Sequence, residues 1–435
     1  MSINRLSKTL ATIATVILVL LPFHAFFTAW LASGLGHFDL IRLWKELLMV
    51  PLGLGAAWLL YKDRDLWDKL RRSTLVRIIL VYIVLQIVLG LFAVNAQKVN
   101  TNALLYGWII GSRFLVFFLI MLVLAAKTNL HKNWRKIILL PATVVIGFGL
   151  LQQFILPADF LRHFGYSSQT LVPFQTIDLK PDYVRLQSTL RGPNPLGAYL
   201  ILVIISAAAY FFTKKNQRIK KGIYVFAAGL VLFFTYSRSA WIGTFLSLGL
   251  LLWLTIKNAK TRKVLAMAGA GLILLSSAVL VVFRNNDRIQ NTFFHVDEHS
   301  TSVRSSNDDR TSALEDGLKD LWNEPLGRGP GTAGPASARN TYPARIAENY
   351  YLQIGQETGL AGFLLFIAIN IYATYYLWRN RQDQLSLILL TSLIGITFVN
   401  LLSHAWADDV LSLIWWGLAG IALSSVILKQ KAKAL

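Results

Sequence analysis

The chain has 435 residues, 55% of them hydrophobic, with no cysteine and a formal net charge of +21. Apolar runs of about 20 residues recur along it, each long enough to cross a bilayer core near 30 Å, and the mean hydropathy is +0.51. One polytopic membrane domain is expected, which excludes a set of separate soluble domains. Nucleic acid is excluded as a partner despite the charge, because the basic residues are spread over alternate connections between the apolar runs, as the positive-inside rule requires. They gather at Arg5 and Lys8, in 62–72, 127–136, 214–221 and 257–263, at Arg379 and Arg381, and in 429–433. Lack of cysteine suits an exported active face without demanding one.

In chain order the predicted spans are approximately 10–33, 41–61, 75–95, 104–126, 136–156, 194–213, 222–236, 238–256, 264–283, 348–378, 384–403 and 409–428. The fold class is therefore all-α, with about 12 transmembrane helices and both termini cytoplasmic. The first run follows Arg5 and Lys8 and ends in AWLASG. It is longer than a signal-peptide core and reads as a retained signal anchor. Two external segments are long, 157–193 and 284–347, and any external site is built from them. A polar insertion as long as the second is functional or disordered more often than not, and its pattern predicts short helices of its own.

Lys45 and Glu46 fall within the second span and Arg113 within the fourth. Ionisable groups at membrane depth are expensive, so Lys45 and Glu46 are expected to snorkel or pair locally, and Arg113 to find a carboxylate, a carbonyl or a substrate anion. The first external loop ends in Arg185 and then Arg191-Gly-Pro-Asn-Pro, with Asn194 and Pro195 suited to opening a helix. External arginines are not explained by the positive-inside rule. Spans seven and eight meet at Ser237-Arg238-Ser239 with almost no connection, which fixes Arg238 at a helix junction. A guanidinium so held loses little entropy on gripping a diphosphate; a structural salt bridge is the alternative.

The large loop supplies Arg304 and Arg310. Ser305 and Ser306 offer N-caps, and Asp308 and Asp309 fit a first helical turn. Leu314, Leu318, Leu321 and Trp322 follow at helical spacing, so one face is apolar, with Arg310 on that side. Pro325 ends the helix. Gly329 to Gly334 matches G-x-G-x-x-G, but no strand precedes it, so a dinucleotide site is rejected. A mobile glycine-rich turn that lets backbone approach a ligand or the membrane is expected instead. Glu348-Asn349 then opens the tenth span, with Asn349, Gln353 and Gln356 on one face. Glu348 is either a general base or an anion at a helix N-terminus. The last external turn adds His404, Asp408 and Asp409; the two aspartates also suit a helix cap.

The order of these motifs resembles the O-antigen ligase and O-antigen polymerase family of bacterial glycosyltransferases. The pieces that carry it are Arg191-Gly-Pro-Asn-Pro-Leu-Gly, Tyr236-Ser237-Arg238, Arg310 through Trp322, Pro325-Leu-Gly-Arg-Gly-Pro-Gly331, and Glu348-Asn-Tyr-Tyr-Leu with Glu357-Thr-Gly-Leu-Ala-Gly362. The resemblance implies transfer of a glycan, without metal or other cofactor, from undecaprenyl diphosphate to a glycan or glycolipid acceptor at the outer face of the bacterial inner membrane. It assigns the diphosphate to Arg238 and Arg310, with Arg185, Arg191 and Arg304 assisting. Glu348, as base, would stand where lipopolysaccharide ligases carry histidine; Asn194, Asn349, His404 and Asp408 would complete the substrate site. A lipid-glycan flippase or other transporter is the rival, but transporters keep their polar residues near the midplane and show repeats.

Overall fold

The computed structural model describes residues 3–177, 180–213, 218–286 and 306–429. Its helices are α1 Ile3–Leu20, α2 His24–Leu35, α3 Phe38–Ile41, α4 Trp44–Lys62, α5 Arg64–Arg71, α6 Thr74–Asn95, α7 Thr101–Lys127 and α8 Trp134–Phe154. They continue with α9 Pro193–Thr213, α10 Arg218–Phe234, α11 Arg238–Thr255, α12 Ala259–Val282, α13 Ser306–Asn323, α14 Gly334–Ser337, α15 Tyr350–Arg379, α16 Gln384–Asn400 and α17 Asp409–Leu428. Every one of the twelve expected spans falls on a helix. Among the described residues, nine helical stretches are long and apolar enough to cross a membrane, while Gly222–Phe234 and Gln384–Asn400 are apolar but shorter. Outward faces stay apolar, as lipid contact requires: Leu54 is 69% and Phe92 66% exposed.

One departure from all-α lies in the segment 157–193. β1 (Gln175–Ile177) pairs antiparallel with β2 (Lys180–Arg185), placing Gln175 opposite Arg185. Thr176, Ile177, Tyr183 and Val184 are β-branched or aromatic, which favours a short hairpin.

In lipid, helices associate by close packing rather than by the hydrophobic effect, and small residues make the closest approaches. α7 and α17 form the central pair. A Cβ on Gly420 would lie 2.5 Å from the Phe118 carbonyl oxygen, and Ser424 Oγ donates to Leu122 O at 3.0 Å. Phe114, Phe117, Trp406, Trp415 and Trp416 fill the surrounding core. α11 meets α16 glycine on glycine: a Cβ on Gly395 would come within 2.2 Å of Gly243 O, and Gly395 N–H donates to Ser247 Oγ at 3.1 Å.

The ionisable residues inside the spans pair with one another. Lys45 Nζ lies 2.9 Å from Asp409 and 3.1 Å from Glu46. Arg113 reaches Glu46 at 3.0 Å and donates to Ala407 O at 2.8 Å. His24 Nε2 is 3.0 Å from Asp409, and Trp44 Nε1 donates to His24 Nδ1 at 2.9 Å. Local pairing of Lys45 and Glu46 is thus what is found, and Arg113 has both a carboxylate and a carbonyl. The cluster ties α2, α4, α7 and α17 together at one end of the bundle.

Helix α13 forms where expected and ends before Pro325, but only part of its apolar face is packed. Leu318 is 58% and Trp322 87% exposed. Gly317 instead abuts Ala347 and Leu352, and Leu321 sits against Gly355. Polar contacts rotate the helix: Asp320 accepts from Gln356 Nε2 at 2.7 Å and pairs with Arg345. Arg304 lies outside the described residues. Arg310 is in α13, but its side chain lies outside the described residues too.

Removing one member of a buried ion set costs about 3–5 kcal/mol, because its partners are left uncompensated. Asp409→Ala should therefore lower the detergent melting temperature sharply. Asp65→Ala, which breaks an exposed i,i+4 pair with Lys69, should cost under about 1 kcal/mol and leave melting nearly unchanged.

Candidate active site

Arg185, Arg191 and Arg238 are built into helix entrances. Arg185, at the end of β2, donates from Nε to Thr235 O at 3.0 Å and from a terminal nitrogen to Asn194 Oδ1 at 2.7 Å. Leu186 N–H bonds Phe234 O at 2.9 Å. The hairpin is thereby fastened to the turn between α10 and α11, where Tyr236 takes a left-handed φ of 50°. Arg238 follows at the first position of α11, a helix with no acidic residue in its first turn. A cation there opposes the helix dipole.

Arg191 stands at the entrance of α9. Its Nε donates to Asp408 Oδ2 at 2.7 Å, and the side chain remains 44% exposed. The other oxygen of Asp408 caps α17 by accepting from Val410 and Leu411 N–H at 3.1 and 3.2 Å. Asp408 therefore does cap the last helix, and it holds Arg191 as well. Beside this pair is a cavity of about 410 Å³. Of the residues singled out from the sequence, Arg191, Asn194, His404 and Asp408 line it, and Arg185, Arg238, Glu348 and Asn349 do not. Burial, with the Arg191 guanidinium nearby, pushes the His404 imidazole down to about 4.

The glycine-rich turn is packed into the protein rather than open to a ligand. Residues 329–334 are all buried. Gly331 has φ of 87° and a Cβ there would lie 2.3 Å from Ala103 O; at Gly329 it would meet the Ala93 methyl at 2.3 Å. The glycines serve to bring backbone onto α6, α7 and α15. The turn ends at Gly334, whose N–H donates to Arg345 O at 2.7 Å. α15 breaks at Gly359, with φ of 65°. Carbonyls freed by the break are capped from the turn: Arg328 N–H bonds Gln356 O at 3.0 Å, and Gly329 N–H bonds Glu357 O at 2.8 Å. The buried Glu357 carboxylate accepts from Gly331 N–H at 2.8 Å and from Ala333 N–H. Glu357 was legible only as a continuation of the Asn349 face; its role in holding the turn was not. Arg345, which pairs with Asp320, was missed altogether, since nothing in spacing joins residues from loop and helix.

Asn349 caps α15, accepting from Tyr351 and Leu352 N–H at 2.9 and 3.1 Å. Glu348 immediately precedes it, half-buried, in a left-handed conformation at φ 48°. Such a conformation costs a non-glycine residue about 1–3 kcal/mol and clusters at functional sites. Capping falls to Asn349, so Glu348 is not needed for it. Among the described residues, no three His, Asp or Glu side chains are grouped to hold a metal ion.

His404 gives the site a pH signature. Its folded pKa lies below the ordinary value of about 6.5, so between roughly 6.5 and 4 the unfolded chain takes up a proton that the folded one refuses. Stability should fall as pH drops through that window and level off beneath it. Melting curves of His404→Gln should lack that portion of the loss relative to the parent chain.

Residues 223–367 match the family model described as O-antigen ligase. No curated protein matches the chain. The matched region includes the Arg238 junction, α13, the glycine-rich turn and the strained Glu348. Over that region the chain is similar to the O-antigen ligases.

Proposed function

We propose that the chain is an inverting glycosyltransferase that needs no metal, moving a glycan from undecaprenyl diphosphate to a glycan or glycolipid acceptor. In this reading it is a single domain in the bacterial inner membrane with both termini cytoplasmic. The loops 157–193 and 284–347 face outward and carry the site. The observation that carries the reading is the family match over a stretch in which Arg238 opens a helix against its dipole and Glu348 is held in strained backbone.

The acceptor hydroxyl oxygen attacks the anomeric carbon from the face opposite the diphosphate, and its proton passes to the Glu348 carboxylate. The bond from the anomeric carbon to the diphosphate oxygen breaks, and the electron pair leaves with the undecaprenyl diphosphate. Arg238 and Arg310 neutralise the charge that develops there, with Arg191, Arg185 and Arg304 assisting. Cations already in place at a leaving group often supply the largest single part of the rate enhancement.

Arg238→Ala and Arg310→Ala should each abolish glycan transfer, measured on purified protein with a lipid-linked donor, without changing the amount in the membrane. Arg238→Lys should recover only part, because an ammonium cannot grip two phosphate oxygens at once. Arg381→Ala, whose guanidinium lies over Trp378 at the other end of α15, should be silent. Equal loss in all of them would mean a folding defect and remove the diphosphate site.

Glu348→Gln keeps size and hydrogen bonding but removes the proton acceptor. Turnover should drop about 10²–10⁴-fold while the donor still binds. Near-normal turnover of the purified variant would take Glu348 out of the mechanism.

A further inference from the structure

Helix α13 meets α15 at three successive levels. A Cβ on Gly317 would touch Leu352, Leu321 packs on Gly355, and Leu360 N–H donates to Pro325 O at 2.8 Å. The contacts advance in step along both segments, so α13 runs beside the first turns of α15 in the same direction. It arrives at the break at Gly359, where a Cβ would lie 2.5 Å from the Leu326 carbonyl carbon.

α15 changes character at that break. Residues 350–359 are all buried, whereas Leu360, Leu364, Ile371 and Tyr375 beyond it are exposed. From Leu360 to the helix end at Arg379 the rise is about 30 Å, the thickness of a bilayer hydrocarbon core. At the far end Arg379 lies over Tyr375 and Arg381 over Trp378, as basic and aromatic residues do at a membrane boundary. Leu360 therefore marks the opposite edge of the core, and Leu326 directly follows the residue whose carbonyl holds it.

Leu326 is 80% exposed, and Trp322 and Leu318, which precede it at intervals of four, are exposed as well. Apolar side chains so bare mark a surface that something else covers. The carboxylates nearest them in sequence are already matched. Asp320 pairs with Arg345, and Glu324 accepts two bonds from Arg328 at 2.5 and 2.6 Å. An unpaired carboxylate would oppose entry into an apolar phase.

We infer that the C-terminal end of α13 is seated in the lipid bilayer. Leu326 lies among acyl chains beside Leu360, and Trp322, four residues back, lies among the headgroups. Tryptophan favours that level, where its ring is apolar and its N–H stays wet. Leu318, one turn further from the core, stands at the limit of the interface. The cover is lipid because this surface is continuous with the lipid-facing side of α15. Seating fixes the depth of the helix that carries Arg310. That consequence for transfer rests on the glycosyltransferase reading; the seating itself does not.

The chain has no cysteine, so single cysteines in the full chain report without background. Leu318→Cys, Trp322→Cys and Leu326→Cys carry an environment-sensitive fluorophore in nanodiscs of phosphatidylethanolamine and phosphatidylglycerol, one chain to a disc. Leu364→Cys, on the lipid-facing side of α15, and Asp316→Cys, at an exposed position of α13, are the lipid and water references. Unchanged melting temperatures show intact fold. A nitroxide near the top of the acyl chain should quench position 326 as strongly as 364, position 322 less and 318 least. Iodide should give the reverse order, with 316 quenched most. Iodide quenching at 322 and 326 equal to that at 316 would put the stripe in water and overturn the inference. Protection from both quenchers would overturn it too, since protein, such as segment 287–305, would then be the cover. Radical footprinting of the unlabelled chain guards against a label that draws the helix in. Trp322 should be oxidised less than the exposed Tyr342, although indole is the more reactive ring; greater oxidation would refute the seating. With a lipid-linked donor, Trp322→Glu should raise KM severalfold with kcat held, and an unchanged KM would remove the consequence for transfer. Lipid quenching in a chain that transfers nothing would sink the transferase reading and leave the seating standing.

Discussion

Two adjacent carboxylates at the entrance of α17 organise one end of this protein. Asp408 faces Arg191 and the cavity, and Asp409 faces Lys45, His24 and Arg113. Neither can leave its partners without stranding buried charge, so α2, α4, α7, α9 and α17 are fixed relative to one another at a single point. Isolated charges at membrane depth cost several kcal/mol; here each is matched within about one side-chain length. That arrangement is a requirement of the membrane first, and only then a scaffold for chemistry.

The described part of the second long loop, residues 306–347, is held to this scaffold by backbone and side chains together. Glycines in 327–334 let the chain lie directly on α6, α7 and α15, and its N–H groups meet the carbonyls freed where α15 breaks. Polar contacts then orient α13 over α15: Asp320, Gln356 and Arg345 turn Leu318 and Trp322 outward. In the proposed reaction, the loop has to bring an arginine and a carboxylate to a lipid-borne substrate. Close backbone packing keeps such a loop from wandering.

Periodicity and charge were enough to read the apolar helices, the tight junction before Arg238 and the pairing of Lys45 with Glu46, because each depends on neighbours along the chain. The Arg191–Asp408 pair joins residues 217 positions apart, and no spacing rule connects them. The apolar stripe on α13 misled for a related reason: hydrophobic pattern gives the face that prefers to be buried, while Asp320 and Gly317 decided which face was. Glycine spacing at 329–334 signalled close approach correctly but not what was approached, since an α-carbon without a side chain suits a helix as well as a ligand. Glu348 was visible as an acid beside a helix start, whereas its left-handed backbone could only be seen in three dimensions.

A helix that borrows its cap from a distant loop cannot be finished before the loop arrives. At the break in α15, the carbonyls of Gln356 and Glu357 and the N–H of Leu360 find their partners in Arg328, Gly329 and Pro325. Until those residues dock, the groups are unpaired, and each unpaired buried backbone group costs free energy comparable to a lost hydrogen bond. Turn and break are therefore interdependent: a change that displaces one leaves the backbone of the other unsatisfied.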